Sequence, residues 1–318
     1  MPGLATELEA DRKWLAHRSD QFVEFDCPVC DVAGSPSFTK KGFEYQRCGK
    51  CRTAFMSPRP SEELLHEFYS TSRTYAYWNR YVFPASEQVR REKIFSPRVT
   101  RVLEFCERYR TNTKTLLEIG AGFGTFCEEV MARDLFERVI ALEMTPDLAN
   151  SCRERGLEVI EQPVETLSLA AGSIDVVAAF ETLEHLFDPR GFFSSIYELL
   201  ADDGLIVLTC PSIDGFDIIS LGEQSDTIDH EHLNYFNPDS IEQLASQCGF
   251  DVLEVLTPGK LDADIVRNKV LAGAISVDGQ PWLRHVLIDR WGLVGEAFQE
   301  FLAANRMSTH MWLIATKR

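Results

Sequence analysis

The chain has 318 residues, of which 45% are hydrophobic and 25% are charged, a composition typical of globular rather than disordered or fibrous proteins. No apolar run approaches the ~20 residues that a membrane span needs, and residues 1–21 lack a hydrophobic signal segment, so we expect a cytoplasmic protein with no membrane partner. The net charge of −17 is uneven, with a balance of +4 over residues 1–114 and −21 over residues 115–318. The acidic part disfavours DNA or long RNA as a partner, and the mildly basic part suits a small anionic acceptor.

Two C-x-x-C sequences, residues 27–30 and 48–51, are the first motif along the chain, and 17 residues separate them. Residues 37–46 between them read as two short strands around a turn. Four thiolates at this spacing are typical of a zinc ribbon, in which protein fills every tetrahedral position and the Zn²⁺ is structural. We therefore predict that residues 1–56 hold an N-terminal segment and a zinc ribbon, although a redox role for the two pairs stays open. The predicted ligands are Cys27, Cys30, Cys48 and Cys51.

Residues 57–114 read as a helical linker that follows the prolines at 58 and 60. The pattern predicts one helix over 61–69 and a second over 86–109, kinked near Pro97. Six aromatic residues fall between positions 69 and 83. This aromatic linker could close over a ligand of the next domain, or it could simply pack between the ribbon and that domain.

From residue 115 onward, strand patterns alternate with helix patterns, which predicts an α/β domain around a largely parallel sheet over residues 115–318. The fourth strand is a continuous apolar run, as expected of a strand that is buried on both faces. About fifty residues between the last two strands, 259–308, read as a helical insertion. The predicted strands are 115–119, 138–143, 157–161, 174–180, 205–210, 251–257 and 310–316.

A glycine-rich turn follows the first of these strands and opens directly into a helix. Such a turn lets backbone N–H groups and a helix N-terminus approach a ligand closely, which indicates a nucleoside-like cofactor. Glu118 precedes the turn, and Gly124 lies one place before the third small residue of a dinucleotide fingerprint. Glu143 ends the second strand, 23 residues after Gly120, where a carboxylate can accept hydrogen bonds from ribose hydroxyls.

Two histidine-containing segments follow the fourth and fifth strands, at the sheet edge where open α/β folds bind ligands. In the second segment, His230 and His232 are two residues apart, so an extended backbone would direct them oppositely, which disfavours a metal site there. The preferred interpretation is a general base, His232, oriented or kept basic by Glu231 with Tyr235 nearby, although a surface or capping role for this segment stays open. His185, in the first segment, is the alternative base, although its place in the pattern favours a structural role.

Three motifs follow the ribbon in a fixed order: E-x-G-x-G-x-G at 118–124, L-E-H-x-x-D-P at 183–189 and E-H-L-x-Y-F-x-P at 231–238. Together they resemble the zinc-ribbon-bearing class I S-adenosylmethionine (SAM) dependent methyltransferases, including the sugar C-methyltransferases of deoxysugar pathways. The resemblance implies a Rossmann-like, mostly parallel sheet whose last strand is antiparallel, with SAM as the cofactor. It also implies that Glu231, His232 and Tyr235 act at the acceptor.

The resemblance places SAM against the glycine turn and the ends of the next strands. Many class I members carry an Asp after strand three that binds the adenine amino group, and Pro163 occupies that position here. The adenine contact would instead come from Gln162 or from the backbone near Val164, with Met144 packed on the ring. The implied cofactor-binding residues are Glu118, Gly120, Ala121, Gly122, Gly124, Glu143, Met144, Val164, Phe180 and Glu181.

We therefore expect a methyltransferase that acts on a small molecule, such as a sugar, a nucleotide sugar or a related metabolite. Two other functions stay open at this point: an RNA methyltransferase guided by the zinc ribbon, and a SAM-binding protein without catalysis. The sequence does not distinguish methylation at carbon, oxygen or nitrogen, and it does not give the oligomeric state.

Overall fold

The N-terminal region consists of one helix and five short strands in the computed structural model, which describes residues 3–317. The first helix and the third ribbon strand were not predicted from the sequence, whereas the hairpin between the two cysteine pairs was. Strands β2, β3 and β4 form an antiparallel meander, and β1 pairs with β5. The elements are α1 (Leu4–Ala16), β1 (Phe22–Val23), β2 (Ser35–Lys40), β3 (Phe43–Arg47), β4 (Ala54–Met56) and β5 (Arg59–Pro60).

The linker is helical, as the sequence predicts, but it is divided more finely. Ser61 accepts a hydrogen bond from the N–H of Leu64 and so caps the first linker helix. Two π-helical segments, Trp78–Val82 and Arg91–Phe95, interrupt the rest, and Pro97 lies in the first turn of the last helix, where proline is tolerated. The helices are α2 (Glu62–Thr71), α3 (Arg73–Tyr77), α4 (Phe83–Arg90) and α5 (Ser96–Tyr109).

The remainder of the chain alternates strands and helices and then adds a helical insertion before the last strand. Its strands are β6 (Thr115–Ile119), β7 (Arg138–Leu142), β8 (Glu158–Ile160), β9 (Ile174–Phe180), β10 (Leu200–Pro211), β11 (Asn234–Tyr235), β12 (Phe250–Leu256) and β13 (His310–Lys317). Its helices are α6 (Thr125–Met131), α7 (Pro146–Glu154), α8 (Pro189–Leu199), α9 (Phe216–Leu221), α10 (Pro238–Gln247), α11 (Asp262–Leu271), α12 (Pro281–Arg284) and α13 (Trp291–Ala304).

Seven strands form the central sheet in the order β12-β13-β10-β9-β6-β7-β8. The pairs among β10, β9, β6, β7 and β8 are parallel, whereas β13 runs antiparallel to both of its neighbours. All seven strands match predicted ones. The main difference is that β10 begins at Leu200 instead of Leu205, because an irregularity between these two residues lets the strand pair with β9 before residues 202–204.

Strand β11 joins the ribbon rather than the central sheet. It pairs with β4, so that the ribbon's sheet has four strands in the order β11-β4-β3-β2. Two further hydrogen bonds fix this connection: Met56 N–H donates to the carbonyl of Leu233, and the Asn237 side chain donates to the carbonyl of Cys51 at 2.8 Å. The segment that carries the predicted general base is thus part of the ribbon.

Apolar side chains cover both faces of the central sheet in two separate clusters, as the alternation along β6 requires. Leu117 and Ile119 face one cluster, whereas Leu116 faces the other. The first cluster also contains Cys27 and Cys48 of the ribbon. The ribbon therefore packs against the hydrophobic cluster on one face of the central sheet.

Candidate functional site

A cavity of about 220 Å³ lies at the carboxyl ends of the parallel strands, beside the glycine turn. Because β6 and β7 are parallel neighbours, the turn after β6 lies next to Glu143, which follows β7. The Glu143 carboxylate accepts hydrogen bonds from the N–H groups of Gly122 (2.7 Å) and Thr145 (2.8 Å). Burial raises the pKa of Glu143, and these backbone donors oppose the shift. The carboxylate retains lone pairs that can accept further hydrogen bonds from a ligand.

Two glycines allow the turn to take this shape. Gly120 has a φ of +74°, and a Cβ there would lie 2.6 Å from the hydroxyl oxygen of Thr182. Gly122 has a φ of +56°, but a Cβ there would meet only open space. The first glycine is thus required by packing as well as by backbone conformation, whereas the second leaves backbone accessible beside the cavity.

The cavity wall contains most of the predicted cofactor-binding residues. Those that line it are Gly120, Gly122, Glu143, Met144, Val164 and Glu181, and Pro163, which occupies the place of an acidic residue, lines it as well. The sequence analysis did not single out Thr182 or Leu148, which also contribute to the wall. Both are ordinary residue types that no motif marks.

The remaining four predicted residues, Glu118, Ala121, Gly124 and Phe180, do not belong to the cavity wall as described over residues 3–317. Side chains alternate along a strand, so Glu118 and Phe180 point to the face opposite their strand neighbours Ile119 and Ala179. The Glu118 carboxylate accepts a hydrogen bond from the Cys127 thiol at 3.0 Å, and burial raises its pKa to about 8.

The side chains of Phe180 and Ala121 also face the protein interior. Phe180 packs edge-on against Phe126, with ring centroids 4.8 Å apart. Ala121 is buried, and Gly124, with a φ of +77°, is the N-cap residue that precedes α6. Direct ligand contact by these residues stays a prediction.

Three aromatic side chains of the linker complete the cavity: Tyr69, Tyr75 and Phe83. Phe83 also stacks on Phe123 of the glycine turn, with ring centroids 5.4 Å apart. The linker thus packs on the glycine turn, a contact that both interpretations of the sequence allow. Its closure over a ligand stays a prediction.

Tyr75 connects the cavity to the segment after β10. Its hydroxyl donates to the Glu231 carboxylate at 2.9 Å, a contact between residues 156 positions apart that no sequence motif marks. Burial raises the pKa of Glu231 to about 7. The expected orientation of His232 by Glu231 is therefore not what the structure shows. The Nδ1 atom of His232 instead lies 2.9 Å from the carbonyl oxygen of Thr227.

His185 and His232 lie together, with their rings edge to face and their centroids 4.7 Å apart. His185 lines the cavity, and its Nδ1 atom lies 3.1 Å from the Glu231 carbonyl oxygen and 3.2 Å from the Tyr69 hydroxyl. Burial lowers the pKa of both histidines, that of His185 to about 3 with a further contribution from the charge of His232. Both imidazoles are therefore neutral at pH 7. A carbonyl can only accept, so each Nδ1 carries the proton and each Nε2 offers a lone pair.

Tyr235 supports this arrangement from behind. It is fully buried in β11, its hydroxyl donates to the Thr227 carbonyl at 3.1 Å, and it accepts from the Asp229 N–H at 3.0 Å. Its ring lies 5.6 Å from that of His232. Tyr235 thus lies buried behind His232, and the acceptor contact predicted for it stays a prediction.

Four cysteines of the ribbon form a compact cluster in which the four sulfur atoms all lie within 4.8 Å of one another. The two C-x-x-C turns share the same backbone hydrogen bond: Cys27 N–H donates to the carbonyl of Val32, and Cys48 N–H donates to that of Thr53. In each turn the residue after the second cysteine has a positive φ, 52° at Asp31 and 66° at Arg52. The donor set and the doubled turn fit a tetrahedral Zn²⁺.

A family model described as a methyltransferase domain matches residues 88–255, slightly more than half of the chain. The C-methyltransferase NovU of Streptomyces niveus is 27% identical over 152 residues, which cover 46% of this chain and 35% of NovU. A ubiquinone biosynthesis O-methyltransferase of a Caulobacter species is 36% identical over 100 residues, 29% of this chain and 39% of that enzyme. This chain thus spans well under two thirds of the length of these relatives.

A solved structure of a SAM-dependent methyltransferase from Archaeoglobus fulgidus superposes with a TM-score of 0.51 at 22% identity, over 74% of this chain and all of that one. Within residues 3–317, no helix combines the length and apolar character needed to cross a bilayer. The sheet order and the structural likeness confirm the predicted Rossmann-like fold of class I SAM-dependent methyltransferases. The chain belongs to the methyltransferase-domain family.

Proposed function

We propose that this protein transfers the methyl group of SAM to a small-molecule acceptor, a sugar, a nucleotide sugar or a related metabolite. The observation that supports this most directly is the position of Glu143. Its carboxylate is bonded to Gly122 and borders a cavity whose wall also contains His185. A carboxylate suited to ribose binding thus shares one cavity with His185, whose ring contacts that of His232.

The residues present fit SAM. Glu143 would accept hydrogen bonds from the ribose hydroxyls, the open backbone at Gly122 would lie against the cofactor, and Met144 with Leu148 would pack on the adenine. When bound, SAM supplies a methyl group that is already activated by its sulfonium. The chain has to hold the acceptor in line with that methyl group, and such positioning is worth roughly 7–11 kcal/mol. The aromatic linker would exclude water from the reacting groups.

An acceptor hydroxyl, or a carbon next to a carbonyl, must also lose a proton. We assign its removal to His232, the histidine of the motif at 231–238, whose Nδ1 is held by the Thr227 carbonyl so that Nε2 keeps a free lone pair. His185 holds the Glu231 segment and the Tyr69 hydroxyl through its own Nδ1, which fits a positioning role. The named relatives include a C-methyltransferase and an O-methyltransferase, so the atom that receives the methyl group is left to experiment.

We assign structural Zn²⁺ to Cys27, Cys30, Cys48 and Cys51, and we propose a cytoplasmic protein that acts without nucleic acid or a membrane. The acidic balance of residues 115–318 supports the exclusion of nucleic acid. The mildly basic balance of residues 1–114 supports a small anionic acceptor.

Calorimetry with SAM and with its demethylated product tests the cofactor assignment on zinc-loaded protein. We expect both to bind, and the absence of heat with either would overturn the proposal. A panel of nucleotide sugars then tests the acceptor by release of demethylated product. If methyl transfer occurs to RNA and to no small molecule, the acceptor class is wrong.

The variant His232→Ala tests the base once an acceptor is found. We expect turnover to fall by about 10²–10⁴-fold with SAM affinity nearly intact, because the base acts only on the acceptor. His66→Ala, at an exposed position on α2, is the matched control and should retain full turnover. Equal turnover in the two variants would remove the assignment.

A further inference from the structure

Behind the cavity, three side chains offer metal-ligating atoms to one point. One ligand atom each from Glu184, His185 and His232 lies within 4.8 Å of the other two. The backbone holds the two segments together, because the N–H of Leu233 donates to the carbonyl of Glu184 at 2.7 Å. The cluster is thus built from the turn after β9 and the segment before β11, at the place where the ribbon meets the sheet.

Glu184 distinguishes this cluster from an ordinary group of polar residues. Its side chain is only 1% exposed, and neither carboxylate oxygen has a hydrogen-bond partner among residues 3–317. Buried carboxylates are normally satisfied by hydrogen bonds or by a cation, since an unpartnered one is costly. The two oxygens therefore indicate a ligand that the protein chain itself does not supply.

Hydrogen bonds orient the two histidine rings for binding the same ligand. Each Nδ1 atom is held by a backbone carbonyl, that of Glu231 for His185 and that of Thr227 for His232. This is the arrangement that fixes metal-binding histidines, because it places the proton on Nδ1 and the lone pair on Nε2. Two nitrogens and one carboxylate form a common ligand set for divalent transition metals, with a further position left open.

We propose that Glu184, His185 and His232 form a second cation site, separate from the cysteine cluster, for a borderline divalent ion such as Zn²⁺, Co²⁺ or Ni²⁺. Ligands that share one ion at about 2.1 Å lie at most about 4.2 Å apart, a separation comparable with the 4.8 Å within which the three ligand atoms lie. The Nε2 lone pair of His232 holds either a proton or the ion. If His232 is the base assigned above, the ion inhibits methyl transfer, and this consequence alone rests on the proposed function.

Cobalt titration of the full-length protein tests the site, with the cysteine cluster first loaded with one Zn²⁺ per chain. We expect one further equivalent of Co²⁺ to bind with visible d–d absorption and without the near-ultraviolet charge-transfer band that cysteine ligation produces. In His232→Gln and Glu184→Gln, the affinity for Co²⁺ should fall by roughly 100-fold or more, whereas exposed His66→Gln should bind like the wild type.

Zinc content and urea unfolding establish that each variant is folded. Should Glu184→Gln fail to fold, the partly exposed His232→Gln carries the test alone. A stoichiometry that stays at one metal per chain overturns the site, as does Co²⁺ binding that the variants leave unchanged. Co²⁺ binding without inhibition leaves the site standing and contradicts His232 as the base, so the two proposals fail separately.

Discussion

The proposed SAM (donor) side and the proposed acceptor side of the site are built in different ways. The donor side, defined here as Gly120, Gly122 and Glu143, comes from two adjacent parallel strands, and its bond from Gly122 to Glu143 spans 21 residues. The acceptor side is defined as Tyr75 and His185 of the cavity wall together with Glu231 and His232 next to them. It joins three distant segments through contacts that span 46 and 156 residues. Regular sheet topology suffices for the donor side, whereas the acceptor side depends on the linker and the ribbon.

Removing a ribbon ligand should separate the two sides most clearly. In Cys48→Ser we expect zinc loss, loss of the pairing between β4 and β11, and turnover reduced by at least about 100-fold, because small metal sites fold with their metal. SAM affinity should change by no more than about threefold, since the donor side lies on the sheet. Metal analysis measures zinc content, calorimetry measures SAM affinity, and an activity assay measures turnover.

Cys248→Ser is the control, since that thiol is free, half-buried and outside the cluster. A zinc-depleted Cys48→Ser protein with normal turnover would show that the acceptor side is independent of the ribbon. Equal losses of SAM binding and turnover would show that the two sides are one unit.

A substitution on the donor side should produce the opposite pattern. In Glu143→Gln we expect SAM affinity to fall by roughly 10–100-fold, because an amide replaces a carboxylate whose hydrogen bonds are charge-assisted. Zinc content should stay at one per chain. Calorimetry provides the measurement, with Glu161→Gln at the surface as the control. Unchanged affinity would exclude Glu143 as a cofactor ligand.

Tyr75→Phe sharpens the comparison within the acceptor side. The substitution keeps the aromatic ring in the cavity but removes the hydroxyl that donates to Glu231. We expect kcat/KM for the acceptor to fall by about 5–10-fold, since one buried hydrogen bond is lost, with SAM affinity near that of the wild type. Tyr81→Phe, whose side chain is exposed, should have no effect. Identical kinetics for both variants would deny the contact a role.

The smallest expected effect concerns Glu118, behind the donor side. Its pKa is raised from 4.5 to about 8, so the native protein keeps this proton at pH values where the unfolded chain has lost it. The stability that it contributes is fully present below pH 4.5 and is lost as the pH rises through 8. Because Glu118→Gln removes the titrating carboxyl, its free energy of unfolding should decrease less steeply with pH than that of the wild type. The difference in slope should be up to about 1.4 kcal/mol per pH unit.

Urea unfolding between pH 4.5 and pH 8 provides the measurement for this group. Glu154→Gln, at an exposed position on α7, serves as the control. Parallel stability curves for the wild type and Glu118→Gln would contradict a buried, protonated carboxyl.

The sequence allowed much of the donor side to be predicted, because its signals are local. Apolar runs mark all seven sheet strands, and the glycine spacing marks the turn beside Glu143. The exception is Glu118, which the motif includes but which strand alternation turns toward Cys127. Local patterns identify a turn reliably, but they do not show which face each neighbouring side chain occupies.

The acceptor side could be predicted only as a set of residue types. The motif at 231–238 identified Glu231 and His232, but nothing near them in sequence indicates Tyr75 or the role of the Thr227 carbonyl. Strand β11 has two residues, too few for any periodic pattern, and its partner lies in the ribbon. These contacts arise from tertiary packing, which a linear pattern does not encode.

The pairing of β11 with β4 has a consequence for engineering hybrids of related enzymes. An exchange of residues 3–60 alone would leave a foreign strand opposite Asn234 and a foreign knuckle carbonyl opposite Asn237. The amino-terminal module and residues 231–237 therefore form one exchangeable unit, although some 170 residues separate them in the gene product. A hybrid that exchanges only one of these two segments should still bind SAM at the proposed donor side. It should lose the geometry of the proposed acceptor side.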